Sequence, residues 1–190
     1  MEGLLSKNNI KLGKIAGFAI STKSCSKYRN KKYQGCKEYC YAKKIETLRP
    51  KVKAKWERNL KATKRKDFVE RMCKEITFVG DYIRVHVSGD FYSQLYLDKW
   101  IEIANRFKHK KFLIYTKAID LDYSKRPRNF RVLLSDDRGI WAHLYVRFDG
   151  VATMWNRADY FTCPYVKEHA TCQECLYCYG HRPKVYFIKH

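Results

Sequence analysis

The sequence predicts an α/β fold: a compact partial (βα) barrel with mostly parallel strands and a cysteine-rich, metal-organised C-terminal tail. Three observations predict it. Strand-like and helix-like segments alternate along the first 150 residues, the rhythm of parallel strands joined by right-handed crossovers. About five strands are legible, too few for a closed eightfold barrel. From about residue 150 onward the periodicity stops and cysteines take over. The chain therefore divides into residues 1–150, the partial barrel with an N-terminal cysteine loop, and residues 151–190, a cysteine-rich segment.

The elements follow in order. "GKIAGFAIS" contains the apolar run Ile15 to Ile20, too short to span a membrane, which reads as a buried strand leading into the first cysteine loop. From Cys40 to Ile76 the composition is helical, with Pro50 and the basic stretch Lys61 to Lys66 as breaks. "DYIRVHVSGDF" is a strand, with Ile83, Val85 and Val87 on one face, that stops at Ser88-Gly89-Asp90. "SQLYLDKWIEIANRF" is a helix whose Leu97, Trp100, Ile101, Ala104 and Phe107 share a face, with Ser93 as its cap. "KKFLIYTK", "NFRVLLSD" and "IWAHLYVRF" are further strands. In parallel α/β proteins the loops after strand C-termini gather on one side, and sites form there. The first cysteine loop, Ser88-Gly89-Asp90, Tyr115-Thr116-Lys117 and Ser135-Asp136-Asp137 each follow a strand. Four polar groups are thus expected on one rim.

Forty Lys and Arg against 19 Asp and Glu leave a formal charge of +21. Such a surplus favours polyanions, because each neutralised phosphate releases condensed counterions, and RNA or DNA is the expected partner. The stretches "KYRNKKYQGCK", "KVKAKWERNLKATKRK" and "SKRPRNFR" mix aromatic with basic residues, a composition suited to phosphate contact and base stacking. Trp56, at helical spacing from Val52 and Leu60, is expected in the core instead. No targeting segment or membrane span is legible, so a cytoplasmic protein without a membrane partner is expected. Thiols stay reduced there, and the eight cysteines read as metal ligands rather than disulfides.

Cys172, Cys175 and Cys178 form C-x2-C-x2-C, with Cys163 upstream. That spacing lets a tight loop wrap three corners of a cubane iron–sulfur cluster while a more distant cysteine takes the fourth. His169 and His181 leave zinc as the alternative. Cys25, Cys36 and Cys40 form C-x10-C-x3-C, three thiols without an obvious fourth. They suit a cluster with one open iron that binds a small molecule; the alternative is structural zinc completed by Cys178 or a histidine. Cys73, four residues after Val69 on an apolar helical face, reads as a buried structural thiol. His86 and His143 lie in candidate strands and suit either a core or a ligand-facing role, and Lys117 either meets an anion at the rim or is a surface lysine.

The segments "CKEYCYA", "VHVSGDF" and "FLIYTK" resemble the radical S-adenosylmethionine (SAM) enzymes. More closely, the combination is similar to a phage-encoded family known as gene product 88, with its CYA, SGDF and YTK signatures, from about Ile15 to Lys117 and again in the C-terminal cysteine group. The resemblance implies a catalytic [4Fe-4S] cluster on Cys25, Cys36 and Cys40, whose open iron is chelated by SAM. It implies an auxiliary cluster on Cys163, Cys172, Cys175 and Cys178, and an external electron donor. Tyr41 resembles the aromatic residue that packs near the adenine. Ser88, Gly89 and Asp90 occupy the place of a Gly-Gly-Glu motif, with Asp90 meeting the SAM amino group and Thr116 and Lys117 at the same cofactor rim. Electron transfer into SAM would give a 5′-deoxyadenosyl radical that abstracts hydrogen from a nucleic acid or nucleotide-containing substrate. The loop departs from the usual C-x3-C-x2-C spacing. The other expectation is a non-enzymatic, metal-stabilised nucleic-acid-binding protein.

Overall fold

The computed structural model describes residues 3–7, 9–29, 36 and 40–188, with the backbone alone at 26–29. Its strands and α-helices run β1 (Leu5–Ser6), β2 (Ala16–Phe18), α1 (Tyr41–Leu48), α2 (Pro50–Thr63), α3 (Phe68–Thr77), β3 (Tyr82–Val85) and α4 (Gln94–Arg106). There follow β4 (Lys111–Thr116), β5 (Phe130–Ser135), β6 (Gly150–Thr153), β7 (Phe161–Thr162), α5 (Tyr165–Glu168), α6 (Cys172–Cys175) and β8 (Lys184–Tyr186). Two longer 3-10 helices, Thr22–Arg29 and Ala142–Arg147, follow β2 and β5. The strands form one eight-stranded sheet in the order β1-β2-β3-β4-β5-β6-β8-β7. β1 pairs antiparallel with β2, and every other neighbouring pair is parallel. The fold is mixed α/β, built on a mostly parallel sheet. Among the described residues no helix is long and apolar enough to cross a membrane.

Local chemistry explains the helix boundaries. Pro50 opens α2 at a first-turn position, where its missing N–H would have had no helical partner. Ser93 Oγ accepts the Tyr96 N–H at 3.3 Å and caps α4. Buried Leu97, Trp100, Ile101 and Ala104 then pack, with α3 residues Phe68, Met72 and Ile76, over one face of the sheet. That face presents Phe18, Ile83, Val85, Phe112, Ile114, Phe130, Val132 and Leu134. The opposite face is also covered. Ile15, Leu113, Leu133, Ala152 and Val185 cluster there with Leu12 and Tyr179, and Cys163, Cys172 and Cys178 pack against them. Parallel strands buried on both faces read as continuous apolar runs, which is how "FLIYT" and "VLLS" look in the sequence.

Three local features differ from the sequence expectation. The segment after residue 150, expected to lack regular elements, contributes β6, β7 and β8 to the sheet. Strands of two to four residues are too short to show an alternation. "IWAHLYVRF" is not a strand: it carries the 3-10 helix Ala142–Arg147 and leaves His143 exposed. The buried Asp136 carboxylate is the cause. It accepts from Ile140 N at 3.1 Å, Trp141 N at 2.9 Å and the Tyr145 hydroxyl at 2.9 Å, and so folds the chain back on itself. Third, the alternation breaks at His86, whose φ of 58° is left-handed. Ile83 and Val85 face the helices, whereas Val87 packs with the cluster on the other side. His86 therefore joins the helix-side core, near the rings of Phe18, Phe91 and Tyr96, with Nε2 2.8 Å from the Tyr96 hydroxyl. Burial lowers its pKa to about 3 and keeps the ring neutral.

Candidate functional site

At the C-terminal ends of β2 to β5 the chain is laced together by one carboxylate. Val87 N donates to Phe18 O at 2.8 Å and Ile20 N to Ser88 O at 3.0 Å, joining the two chain segments that leave β2 and β3. Gly89 then turns through a left-handed φ of 83° and delivers Asp90 into the interior, where it is buried. Asp90 Oδ1 accepts from Phe91 N and from Thr116 Oγ1, both at 2.7 Å, and Oδ2 accepts from Lys117 N at 2.7 Å. The Asp90 N–H donates to Ser24 Oγ at 3.1 Å. Burial pushes the Asp90 carboxyl up to about 6, against the opposing pull of the Lys117 amide, the Thr116 hydroxyl and the Phe91 amide. Lys117 passes the connection to the next strand. Its ammonium donates to Ser135 O at 2.8 Å, Ser135 Oγ at 3.0 Å and Asp137 Oδ2 at 2.8 Å, so each of its three protons has an acceptor. The structure brings Ser88, Gly89, Asp90, Thr116, Lys117, Ser135 and Asp137 together on one rim. Asp136 instead turns into its own loop, and Tyr115 packs against Phe187 and the C-terminal cysteines on the sheet face.

The first thiols border this rim. Cys25 lies in the 3-10 helix Thr22–Arg29, its sulfur 3.9 Å from Ser24 Oγ. Buried Glu46 on α1 accepts from the Thr22 N–H at 2.9 Å and the Thr22 hydroxyl at 2.5 Å, which pins that loop to the helix. Cys40 is the N-cap of α1, its sulfur accepting from Lys43 N at 3.4 Å. A hydrogen bond with Cys40, together with burial, raises the pKa of Cys36, and the Lys117 charge opposes that rise. The Tyr41 hydroxyl donates to the Val87 carbonyl, while the residue as a whole is 54% exposed. Burial of that hydroxyl raises its pKa, Arg84 opposes the rise, and Cys40, Cys36 and Cys25 add to it, so the three thiols lie in its vicinity. Most of the basic stretch "KYRNKKYQGCK" lies outside the described residues. Replacing Glu46 with Ala leaves the buried Thr22 N–H without its acceptor, a loss of about 1–3 kcal/mol. The expected outcome is a lower urea midpoint for Glu46→Ala and faster labelling of Cys25 by a thiol reagent.

The second thiols sit on the sheet face opposite the helices. Thr171 and Glu174 form a reciprocal cap that opens α6. Cys172 N donates to Lys11 O at 2.8 Å and Lys14 N donates to Gln173 Oε1 at 2.8 Å, fastening this turn to the residues before β2. Cys163 N donates to Tyr186 O at 2.9 Å, which fixes the fourth cysteine beside β8. Burial raises the Cys172 thiol and pushes Cys178 up to about 12, although the Tyr115 hydroxyl donates to the Cys178 sulfur. Cys163 acts electrostatically on both and Cys175 on Cys172, and Cys163, Cys172 and Cys178 pack against the same apolar cluster. His169 and His181 are exposed. Cys73 belongs to neither group: it is half-buried on α3 against the core, its pKa raised by burial, with Arg106 4.0 Å away. Trp56 is buried with Ala19 and Ala42, beside Cys40.

Arg84 is the residue that sequence reasoning missed. Its guanidinium lies 3.8 Å from the centroid of the Tyr115 ring, and its buried Nε has no hydrogen-bond partner. Its charge acts on Tyr41, in the vicinity of the first thiols, and on Cys172, Cys178 and Tyr179. One cation thus acts on the surroundings of both thiol groups. The available signal was its place opposite Ile83 and Val85 in a strand buried on both faces. Among the described residues, no group of three or more His, Cys, Asp or Glu side chains is arranged so that it could hold a metal ion.

Residues 4–161 match the family model described as gene product 88. No curated protein and no solved structure matches. The matched residues include Cys25, Cys36, Cys40 and the rim around Asp90, and they end before Cys163.

Proposed function

The chain belongs to the gene product 88 family, and on that premise we propose that it is a compact radical SAM-like iron–sulfur enzyme acting on a nucleic acid or a nucleotide-containing substrate. The observation that carries this is the rim itself: three thiols border the polar ends of successive parallel strands, where α/β proteins place their chemistry. The order of β2 to β6, each beside its predecessor, suits a partial barrel around that rim. The chemistry of the donors supports clusters: the thiols are half-buried, and Lys117 acts on Cys36 and Arg84 on Cys172 and Cys178, charges that would offset thiolates. The described side chains would have to draw together to bind, since they do not form a metal-holding group as they stand. Cys25, Cys36 and Cys40 would hold a [4Fe-4S] cluster that supplies one-electron chemistry, and Cys163, Cys172, Cys175 and Cys178 an auxiliary cluster or zinc.

The chain's own residues supply binding and orientation. Each Asp90 oxygen accepts up to two hydrogen bonds, so Oδ2, which accepts one, retains capacity for the amino group of SAM. Tyr41 offers an exposed ring next to the thiols for the adenine. The charge of +21 supports a polyanionic substrate. A second reading, a metal-stabilised nucleic-acid-binding protein without catalysis, is favoured by one observation: Asp90 is buried and hydrogen-bonded by the fold, and Lys117 spends all three ammonium protons on it.

The test uses the full chain purified and reconstituted with iron and sulfide without oxygen. Iron, sulfide and zinc are counted, and electron paramagnetic resonance of the reduced sample is recorded with and without SAM. About eight irons and a spectrum altered by SAM are expected for two cubanes, one of them open. About four irons with no response to SAM would overturn the enzyme, and zinc in place of iron would leave the second reading.

A further inference from the structure

Of the four tryptophans, three are buried: Trp56, Trp100 and Trp141 are 7%, 0% and 9% exposed. Trp155 is 58% exposed. It follows β6, whose Ala152 pairs with Ser135 of β5, so it leaves the sheet at the same end as Lys117 and Asp137. Its position is held from two directions. The Trp155 N–H donates to Thr153 Oγ1 at 2.9 Å. Its six-membered ring backs onto Gly139, where an added Cβ would stand 3.3 Å from Cε3 and 3.5 Å from Cζ3. Gly139, at a left-handed φ of 70°, belongs to the loop that Asp136 ties down through Ile140 N and Trp141 N. Two residues earlier that loop supplies Asp137 to Lys117, whose charge acts on Cys36.

A large apolar ring held in place and left exposed on a rim is pre-organised for a flat partner, since little side-chain freedom remains to be lost. The surroundings select which flat partner. The chain carries +21 and the neighbouring Ile140 is 51% exposed, while Arg157, two residues beyond Trp155, is paired with Asp159 at 3.5 Å. On a chain of this overall charge an exposed indole suits an unpaired nucleobase, which stacks on the ring while its phosphates meet Lys and Arg of the wider surface. We propose that Trp155 is a base-stacking platform for single-stranded nucleic acid at the end of the sheet that carries Lys117 and Asp137. This rests on the nucleic-acid substrate proposed above, and it names the strandedness and the residue that receives the base.

Because the other three tryptophans are buried, the emission of the full chain accessible to quenchers reports mainly on Trp155. Oligo(U) and oligo(dT) of about 12 nucleotides are titrated at about 50 mM salt, with binding followed separately by anisotropy of a labelled strand. The expected result is quenching that saturates with binding. Trp155→Ala is expected to weaken binding by about 5- to 100-fold while the slope of log affinity against log salt stays unchanged, because the phosphate contacts remain. Trp155→Phe should keep most of the affinity and lose the quenching. Binding without quenching, at an affinity that Trp155→Ala leaves unaltered, would overturn the platform and leave the nucleic-acid substrate standing. Failure of both strands to bind at this salt would overturn the substrate reading and the platform with it.

Discussion

Gly89→Ala is expected to destabilise the protein by about 2–5 kcal/mol, the sum of a backbone and a packing effect. The backbone at Gly89 has a φ of 83°, which costs an L-residue on the order of 1–2 kcal/mol. A Cβ there would stand 2.4 Å from Ile20 Cγ1, 2.8 Å from Ser24 Oγ and 3.0 Å from the Ile20 carbonyl oxygen. The first two contacts demand movement, and the third involves backbone that Ser88 O already holds through the Ile20 N–H. Relief therefore pushes the 20–24 segment away from the rim and carries Cys25 with it. Urea denaturation measures the loss. Gly80→Ala serves as the control, since an added Cβ there meets nothing within 4 Å. If Gly89→Ala falls within about 0.5 kcal/mol of the parent, the segment bearing Cys25 is not braced by this turn.

Asp90→Asn is the second large effect, and its size should depend on pH. An asparagine offers one oxygen and one NH2 group. With NH2 in place of Oδ1 it faces the Phe91 N–H, and in place of Oδ2 it faces the Lys117 N–H. Either orientation sets two donors against each other in the interior, at a cost of about 2–4 kcal/mol. The parent carboxyl is raised to about 6 from 3.8 in the unfolded chain, so the folded state holds the proton more tightly. Its favourable contribution is fully present below pH 3.8 and is lost as the pH rises through about 6. Asparagine does not titrate. The stability gap between parent and Asp90→Asn should therefore narrow, by on the order of 1 kcal/mol, between about pH 5 and 7.5. Urea midpoints across that range check it, and a gap that widens with pH would mean that the carboxylate, not the acid, is the favoured form.

Some of this was legible residue by residue. The convergence of Ser88-Gly89-Asp90, Tyr115-Thr116-Lys117 and Ser135-Asp136-Asp137 followed from parallel strands alone, because crossovers bring every strand C-terminus to the same edge. Helix breaks at Pro50 and around Lys64, the Ser93 cap and the burial of Trp100 came from local backbone chemistry and from a 3.6-residue period. Other features had no local signal. The left-handed turn at His86 inverts the face of Val87, and nothing in "RVHVSG" marks a histidine for a positive φ. The 3-10 helix after Trp141 is set by Asp136, a carboxylate that resembles its neighbour Asp137 in the sequence and has a different partner in space.

The sequence by itself determined an α/β chain with strands in parallel, two thiol groups and a positive field, because periodicity, spacing and charge are local properties. Tertiary structure alone decided which groups are spent on holding the fold. Asp90 became a buried hub with four hydrogen-bonded neighbours, and Lys117 a fully bonded ammonium. Arg84 came to act on the surroundings of both thiol groups, and Trp155 was left exposed. The reason is physical. Burial and hydrogen-bond partnership depend on contacts between segments far apart in the chain, such as Ser24 with Asp90 and Lys11 with Cys172, and no window of neighbouring residues contains them.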